Sequence, residues 1–450
     1  MTITADSWIH GAPVQWTRGR IKNLIASATN GTWGGEPAED GSDVRCIRAA
    51  DFDRVGRRAK VDGAPLRTID ASSLRQHLLR PGDLILEKSG GGEKQPVGMA
   101  VLYEGAERAV CSNFCARISP AMHVDSRFLT YVFAAAYGQG LTQSAIKQTT
   151  GIQNLDAGTF FSSAWAYPEL EEQRRIADFL DAETARIDRM TLAAERGCKL
   201  LVERRWTTVH TLVTGSDCSV PRRDPGLGWV QEVPTSWPVM PLKFVASLGS
   251  GHTPSRSRPE YWQECTIPWI SLFDVGRMRD VRQTELAETA QQISELGMAN
   301  SSACLHPAGT VVLSRTASVG FSTIMGVEMA VSQHFVTWTC GDSLLPTYLL
   351  QLLRAMRQYF ESVQVGTTNV TVFMPDLYSI RIPLPPLAEQ EAIVDRIDAR
   401  TREIDALASR FDRQVSLLKE RRQALITAAV TGQFDVSTAS GRNVTDGVSA

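Results

Sequence analysis

The sequence is short of the features by which enzymes are recognised. It has 7 histidines in 450 residues. His252, His306 and His334 are spread through one region with no catalytic motif around them, so polar or packing roles suit them better than general-base catalysis. There is no GxxxxGK[ST], HExxH or GxSxG. SGGGEKQ (89–95) follows a strand-like run but opens no helix, so it is not a dinucleotide fingerprint. The Asn/Asp-Pro-Pro-aromatic tetrapeptide expected of an adenine methyltransferase is absent. No apolar run approaches the roughly 18–20 residues of a membrane span. The start, MTITADSWIHG, lacks the basic and apolar regions of a signal peptide. The expected location is therefore the cytoplasm, with no membrane partner. The 8 cysteines are scattered, and Cys111 and Cys115, the closest pair, have no second pair with nearby His. They read as reduced thiols, and no metal site is expected. A formal net charge of −2 excludes a chain coated in base. Strong non-specific affinity for nucleic acid, if needed, would be shared with partners.

What is present is helix, in duplicate. Pro385 to Gly432 has no Gly or Pro between Leu387 and Gly432 and is rich in Ala, Glu, Arg and Leu, which favours helix. Ile397, Ile404, Phe411, Leu418 and Leu425 recur every seventh position, the period of a coiled-coil seam. Pro168 to Gly215 repeats this stretch without a gap. Glu172-Gln173 falls on Glu389-Gln390, Ile187-Asp188 on Ile404-Asp405, Glu203-Arg204-Arg205 on Glu420-Arg421-Arg422, and Val213-Thr214-Gly215 on Val430-Thr431-Gly432. More than a third of the 48 positions are identical, and shared composition alone does not keep register over such a length. The first seam reads Leu180, Ile187, Ala194, Leu201 and Thr208, with Ala194 and Gly197 interrupting it. Two matching seams in one chain can satisfy each other.

The rest divides around these helices. Residues 1–165 form a first globular unit, 166–215 the first helix, 216–234 a Pro- and Gly-rich linker, 235–383 a second globular unit, 384–435 the second helix, and 436–450 a polar, disordered tail. The second unit repeats the first with drift. Trp16 corresponds to Trp237, Leu79-Arg80-Pro81 to Leu305-His306-Pro307, Pro96-Val97-Gly98 to Ser318-Val319-Gly320, and Ala109-Val110 and Phe114 to Ala330-Val331 and Phe335. The expected strands are Val44–Phe52, one on each side of the SGGG loop, and Ala109–Ile118. Helices are expected at Arg127–Tyr137 and Thr347–Phe360. The fold class is mixed α/β (α+β): two globular units alternating with two long helices that pair antiparallel, as an internal repeat with an approximate two-fold axis.

Two loops stand at matching places in the units. Ser89, Gly90 and Gly91 follow Lys88, and Ser314 and Arg315 open SRTASVG (314–320). Each offers small residues, backbone N–H groups and a cation beside a sheet edge, which suits close approach to a phosphate backbone. A plain hairpin accounts for either loop alone, but less well for the recurrence. GSGHTPSRSRP (249–259) adds His252, Thr253, Arg256 and Arg258. Arg and Lys can read guanine edges, and Gln and Asn adenine edges. The DNA-contact candidates are thus Arg45, Arg48, Lys88, Gln95 and Gln148 in the first unit. In the second they are Arg256, Arg258, Arg315, Gln333, Thr368 and Asn369. A solvated surface role is the alternative for each.

The whole pattern resembles the specificity subunit of type I restriction–modification systems. The resemblance rests on PLPPLAEQEAIVDRID (383–398), its weaker copy YPELEEQRRIADFLD (167–181), the ERR…TG endings, Trp237 with Gly251-His252-Thr253-Pro254, and GDLILEKSGGGEKQPVG (82–98). It implies that each globular unit is a target recognition domain reading one half of a split, asymmetric site in double-stranded DNA. It implies that the helices fix the spacing and dock two modification (methyltransferase) subunits. The chain would have no catalysis and no cofactor of its own. S-adenosylmethionine would belong to the modification subunits, which methylate adenine N6, and ATP and Mg²⁺ to two restriction subunits where the assembly also cleaves. Two other readings compete. An enzyme with its own site is disfavoured by the missing motifs. A scaffold that never touches DNA explains the helices but not the duplicated units with cation-bearing loops. If the helices act as a ruler, a four-residue insertion near Ala194, about 6 Å of helix, is expected to lengthen the unspecified gap in the site. An unchanged gap would count against the ruler.

Overall fold

The computed structural model describes residues 11–38, 41–92, 95–149, 152–366 and 370–438. Two uninterrupted helices dominate it, Leu170–Val213 and Leu387–Val430, each of 44 residues. The chain partitions into two units, 1–194 with 413–450, and 195–412. Each unit therefore takes one globular fold and half of each long helix.

Within the first unit, Ile176, Ala177, Leu180 and Ile187 from the start of the first helix share a core with Leu418, Leu425, Ile426 and Val430 from the end of the second. Within the second unit, Val209, Leu212 and Val213 from the end of the first helix meet Ile393 and Ile397 from the start of the second. The paired segments run antiparallel in both units. The seam residues Leu201 and Ile404 are buried, and Phe411 is partly buried. The interruption of the first seam has a packing reason. A Cβ on Gly197 would lie 3.0 Å from the Phe411 ring, so the missing side chain makes room for an aromatic knob. At the helix end the seam leaves Thr208, whose hydroxyl donates back to the Arg204 carbonyl (2.9 Å), and passes to Val209 and Leu212.

The repeated motif residues hold each globular fold to the helices. Gln173, buried, donates to the His123 (3.1 Å) and Pro168 (2.8 Å) carbonyls and accepts from Asp125 N (3.0 Å). Gln390 does the same with Ser343 (2.9 Å), Pro385 (2.8 Å) and Leu345 N (2.9 Å). Arg205 donates to Asp405 (2.9 Å) and the Val281 carbonyl (3.2 Å). Arg422 donates to Asp188 (2.8 and 3.1 Å) and the Val55 carbonyl (2.7 Å). Gly215 and Gly432 end the helices at φ 63° and 74°, the left-handed cap that glycine adopts without strain. Trp237 and Trp16 stack over them, 3.1 and 3.3 Å from where a Cβ would be.

The two globular folds share one topology. In the first, the strand order is Ile25–Asn30, Cys115–Pro120, Leu84–Glu87, Ala100–Leu102, Arg58–Ala59 and Phe52–Asp53. In the second it is Ala246–Ser250, Phe335–Cys340, Val311–Ser314, Ser322–Met325 and Glu285–Leu286. A small three-stranded sheet accompanies each, with Ala109–Cys111 parallel to Val44–Ile47, and Ala330–Val331 parallel to Ile267–Ile270. The helices Ser126–Gly138 and Pro346–Ala355 bury their apolar faces against the main sheets. Each fully buried Leu, Val or Phe there contributes roughly 1.5–3 kcal/mol.

Several local expectations are corrected. The strand expected over Ala109–Ile118 is two strands in two sheets, because Cys115 N donates to Ser112 O (2.9 Å) and closes a turn between them. Val44–Phe52 is a strand to Ile47, then a 3₁₀ turn at Ala49–Asp51. The helix expected at Thr347–Phe360 breaks at Met356. The 216–234 linker contains a short antiparallel pair, Arg222–Arg223 with Val233–Pro234. Val436–Thr438 forms one 3₁₀ turn, and the rest of the expected tail lies outside the described residues. Cys46, Cys111 and Cys115 are buried free thiols, and burial pushes the Cys46 thiol up to about 11. Among the described residues no helix is long and apolar enough to cross a membrane, and no cluster of His, Cys, Asp and Glu could hold a metal.

Candidate nucleic-acid interface

Backbone bonds fix the equivalence of the two units. Lys88 N donates to Phe114 O (3.0 Å), and Arg315 N donates to His334 O (2.9 Å). Gly98 N bonds Glu87 O as Gly320 N bonds Ser314 O, each at 2.9 Å. Lys88 and Arg315 therefore leave the same strand at the same place. The same bonds shift part of the expected register by one. Leu79 N donates to Ala109 O where His306 N donates to Met329 O. Leu79 is thus the counterpart of His306, Ala109 of Met329 and Phe114 of His334.

In the first unit the backbone of Ser89–Gly90 pairs with Gln153–Asn154, and Ser89 Oγ donates to Asn154 Oδ1 (2.7 Å). Leu155 N donates to Lys88 O (2.7 Å). Gly90 and Gly91 have φ 112° and 61°, so the loop turns through conformations that other residues avoid. Gln148 lies on the strand opposite Gln153. Gln95 is exposed at the end of the loop. Lys88 is half-buried and has no ion-pair partner among the described residues. Arg45 and Arg48 are not brought to this loop by any described contact. Arg45 donates to the Ala64 carbonyl (2.9 Å) and faces Glu107 (3.5 Å). Arg48 forks onto Asp51 (2.9 Å twice) at the start of a 3₁₀ turn. The Asp51 carboxyl stays below its usual range because the Arg48 bonds outweigh burial. Both arginines are paired within the unit while staying partly exposed.

In the second unit Arg315 is gripped on three sides. Its Nε donates to Gln333 O (3.2 Å), its Nη1 to Val372 O (3.1 Å), and its own carbonyl accepts from Val372 N (2.9 Å). Burial lowers its guanidinium pKa. Gln333 is exposed, and its amide oxygen accepts from Thr253 Oγ1 (2.5 Å). Ser314, one residue before Arg315, is buried in its strand. Thr253, Arg315, Gln333 and His334 thus converge. Burial and the neighbouring Arg315 lower the His334 pKa, so the ring is neutral at pH 7. Exposed His252 sits beside them and accepts at its carbonyl from Trp269 Nε1 (3.2 Å). Arg256 lies over Trp262 (3.6 Å), with Trp269 at 5.7 Å, and donates to Gln291 (3.0 Å), so the guanidinium is held in place. Arg258 pairs with Glu260 (3.5 Å) on the surface. Thr368 and Asn369 lie outside the described residues.

A second pair of equivalent loops emerges that sequence reading did not align. A Cβ on Gly31 would overlap the Cys111 and Ser112 carbonyls, and one on Gly251 the Val331 carbonyl. GTWGGEP (31–37) is thus the counterpart of the loop carrying Thr253 and Arg256. It presents Trp33 under the Arg67 guanidinium (4.4 Å). Each glycine directly follows the strand that ends at Asn30 or Ser250, but the distance to the next strand differs and the loop sequences offer no alignment.

These ends carry guanidinium, amide, hydroxyl and backbone N–H groups, which are hydrogen-bonding chemistry for phosphate oxygens and base edges. Residues 234–413 match the family described as type I restriction modification DNA specificity domain. Curated relatives agree. Over 166 residues the chain is 26% identical to the type I restriction enzyme MjaIX specificity subunit of Methanocaldococcus jannaschii, covering 36% of this chain and 38% of that one. Over 188 residues it is 24% identical to the EcoR124I/EcoR124II specificity subunit of Escherichia coli, covering 40% and 45%. The chain thus spans less than half the length of either relative. One solved chain, from work on complex assembly and conformational transition of the type I R-M system, has the same fold. It has a TM-score of 0.66 at 20% identity and covers 94% of this chain and 99% of that one.

Proposed function

We propose that this chain is the DNA-specificity subunit of a type I restriction–modification complex, reading a bipartite, asymmetric site in double-stranded DNA. The observation that carries it is the equivalence of Lys88 and Arg315 at the same strand end of two like-folded units whose surroundings differ. Like folds with unlike loops suit the reading of two different short sequences. The chain acts without catalysis, cofactor or metal of its own. It directs two modification subunits, which use S-adenosylmethionine to methylate adenine N6, to the site in the cytoplasm, joined by restriction subunits that use ATP and Mg²⁺ where the assembly also cleaves. The first unit uses Lys88, Ser89, Gly90, Gly91, Gln95 and Gln148; the second uses Thr253, Arg256, Arg315 and Gln333.

Long-read methylation mapping tests this in cells carrying the chain and its neighbouring methyltransferase, with and without the chain. A bipartite adenine motif that vanishes without the chain supports the reading, and an unchanged pattern sinks it. Lys88 is assigned to a phosphate. Lys88→Gln in the assembled complex is then expected to weaken binding uniformly and to reduce the slope of log K against log salt by about 1. A shifted base preference with an unchanged slope would mean that Lys88 reads a base instead.

A further inference from the structure

The first unit holds a polar cleft of about 710 Å³ that the candidate residues only border. Ala49 and Phe52 wall one side, and Gly91, Gly92 and Gln95 the other. Its floor is an ion pair. Glu87 is 4% exposed and meets Arg54 Nη2 at 3.1 Å. Arg54 Nη1 also lies 3.3 Å from Met99 Sδ. The amide of Gln95, turned as its neighbours require, places its oxygen 2.9 Å from Arg54 Nη1. An acceptor from an exposed, glycine-hinged loop therefore rests on a guanidinium that a buried carboxylate holds in place. The second unit lacks this device. The place of Glu87 is taken by Ser314 and that of Met99 by Phe321, whose ring carries Arg357 at 4.5 Å.

We propose that this cleft takes the edge of a guanine in the half-site read by the first unit, with Arg54 as the reading group, Glu87 as its positioning residue and Gln95 as the amide that gives way. This rests on the DNA-specificity reading above. Two parallel N–H donors on a planar fork match guanine O6 and N7, while adenine would set its N6 donor against them. The Gln95 oxygen is the same kind of acceptor as O6, so it marks where the base edge arrives. Glu87 removes the rotamer freedom that would let Arg54 accept other partners. The absence of the pair from the second unit makes the two half-sites differ.

The test uses the full chain with its modification subunits and maps methylated motifs for wild type, Arg54→Gln and Glu87→Gln. Wild type is expected to require guanine at one position of one half. Arg54→Gln is expected to lower that preference at least tenfold, and Glu87→Gln severalfold, with the other half unchanged in both. Glu87→Gln removes the charge but keeps the shape and an acceptor oxygen for Arg54, whose side chain is 27% exposed to water, and urea denaturation of the variant checks that it folds. If Arg54→Gln abolishes methylation altogether, Glu87→Gln decides. An unchanged guanine preference in either active variant, or relaxation of both halves alike, overturns the proposal. A wild-type complex with no bipartite motif would instead overturn the specificity reading itself.

Discussion

Arg205→Ala is expected to destabilise the second unit by about 3 kcal/mol, the range for leaving one partner of a buried ion pair alone. The Arg205 side chain is 10% exposed and that of Asp405 23%. The substitution leaves the Asp405 carboxylate unpaired and withdraws one of two donors from the Val281 carbonyl. The other donor is Arg354 (2.7 Å). Burial chiefly, with Arg205 adding to it, drives Arg354 down to about 10, and Asp405 opposes the shift. Arg205→Lys keeps the charge but cannot reach both acceptors in one plane, so it is expected to recover less than half of the loss. Arg205→Met with Asp405→Leu should recover most of it, because the desolvation cost disappears with both charges. Arg422→Ala is expected to reproduce the loss in the first unit through Asp188. The exposed pair Arg357–Glu361 sets the scale of an ordinary contact, roughly 0.3–0.5 kcal/mol. Urea denaturation of the full chain reads all of these, and Arg205→Ala costing no more than Glu361→Ala would mean that the Arg205–Asp405 pair does not hold the second unit together.

That lock shows which parts of the fold a sequence displays. The seam was legible because a seven-residue period survives any substitution among apolar residues. The gapless repeat marked Glu-Gln, Ile-Asp and Glu-Arg-Arg, but not why they recur. Asp188 and Arg422 are 234 positions apart, and no spacing rule joins them. The globular repeat was visible in outline and wrong by one residue at Leu79, Ala109 and Phe114, since neighbouring apolar residues let an alignment slide where only backbone bonds decide. Arg45 and Arg48 attracted notice as cations beside a strand, but the sequence did not show that Glu107 and Asp51 already pair with them. Arg54, in a turn, and Glu87, in a strand, went unnoticed because a charge in either place looks like any other until its burial and partner are known.

Gly251→Ala is expected to be the most damaging single-methyl change in the second unit. Its backbone is not in the left-handed region, so the objection is steric. A Cβ would overlap the carbonyl of Val331, which belongs to the small three-stranded sheet. Neither partner can yield by rotating a side chain. The strand must move, or the chain from His252 onward must lift away, at about 3 kcal/mol if the cost resembles severe overpacking. That chain carries Thr253, which reaches Gln333, and Arg256, which lies on Trp262. Losing their placement is expected to weaken cognate binding of the assembled complex tenfold to a hundredfold, about one or two base contacts. The half-site read by the first unit should be unaffected. Gly249→Ala is the internal control. It lies two residues earlier, and its Cβ would meet only the Thr337 hydroxyl (2.6 Å) and the His306 ring (2.8 Å). Both are side-chain atoms, buried but not backbone, so the clash can be relieved without moving a strand. Gly276→Ala meets nothing within 4 Å and should be silent. If the three variants bind alike, the close approach at Gly251 does not position the loop. A graded series, severe at 251, mild at 249 and absent at 276, would tie recognition to the point where a strand leaving the main sheet crosses the smaller one.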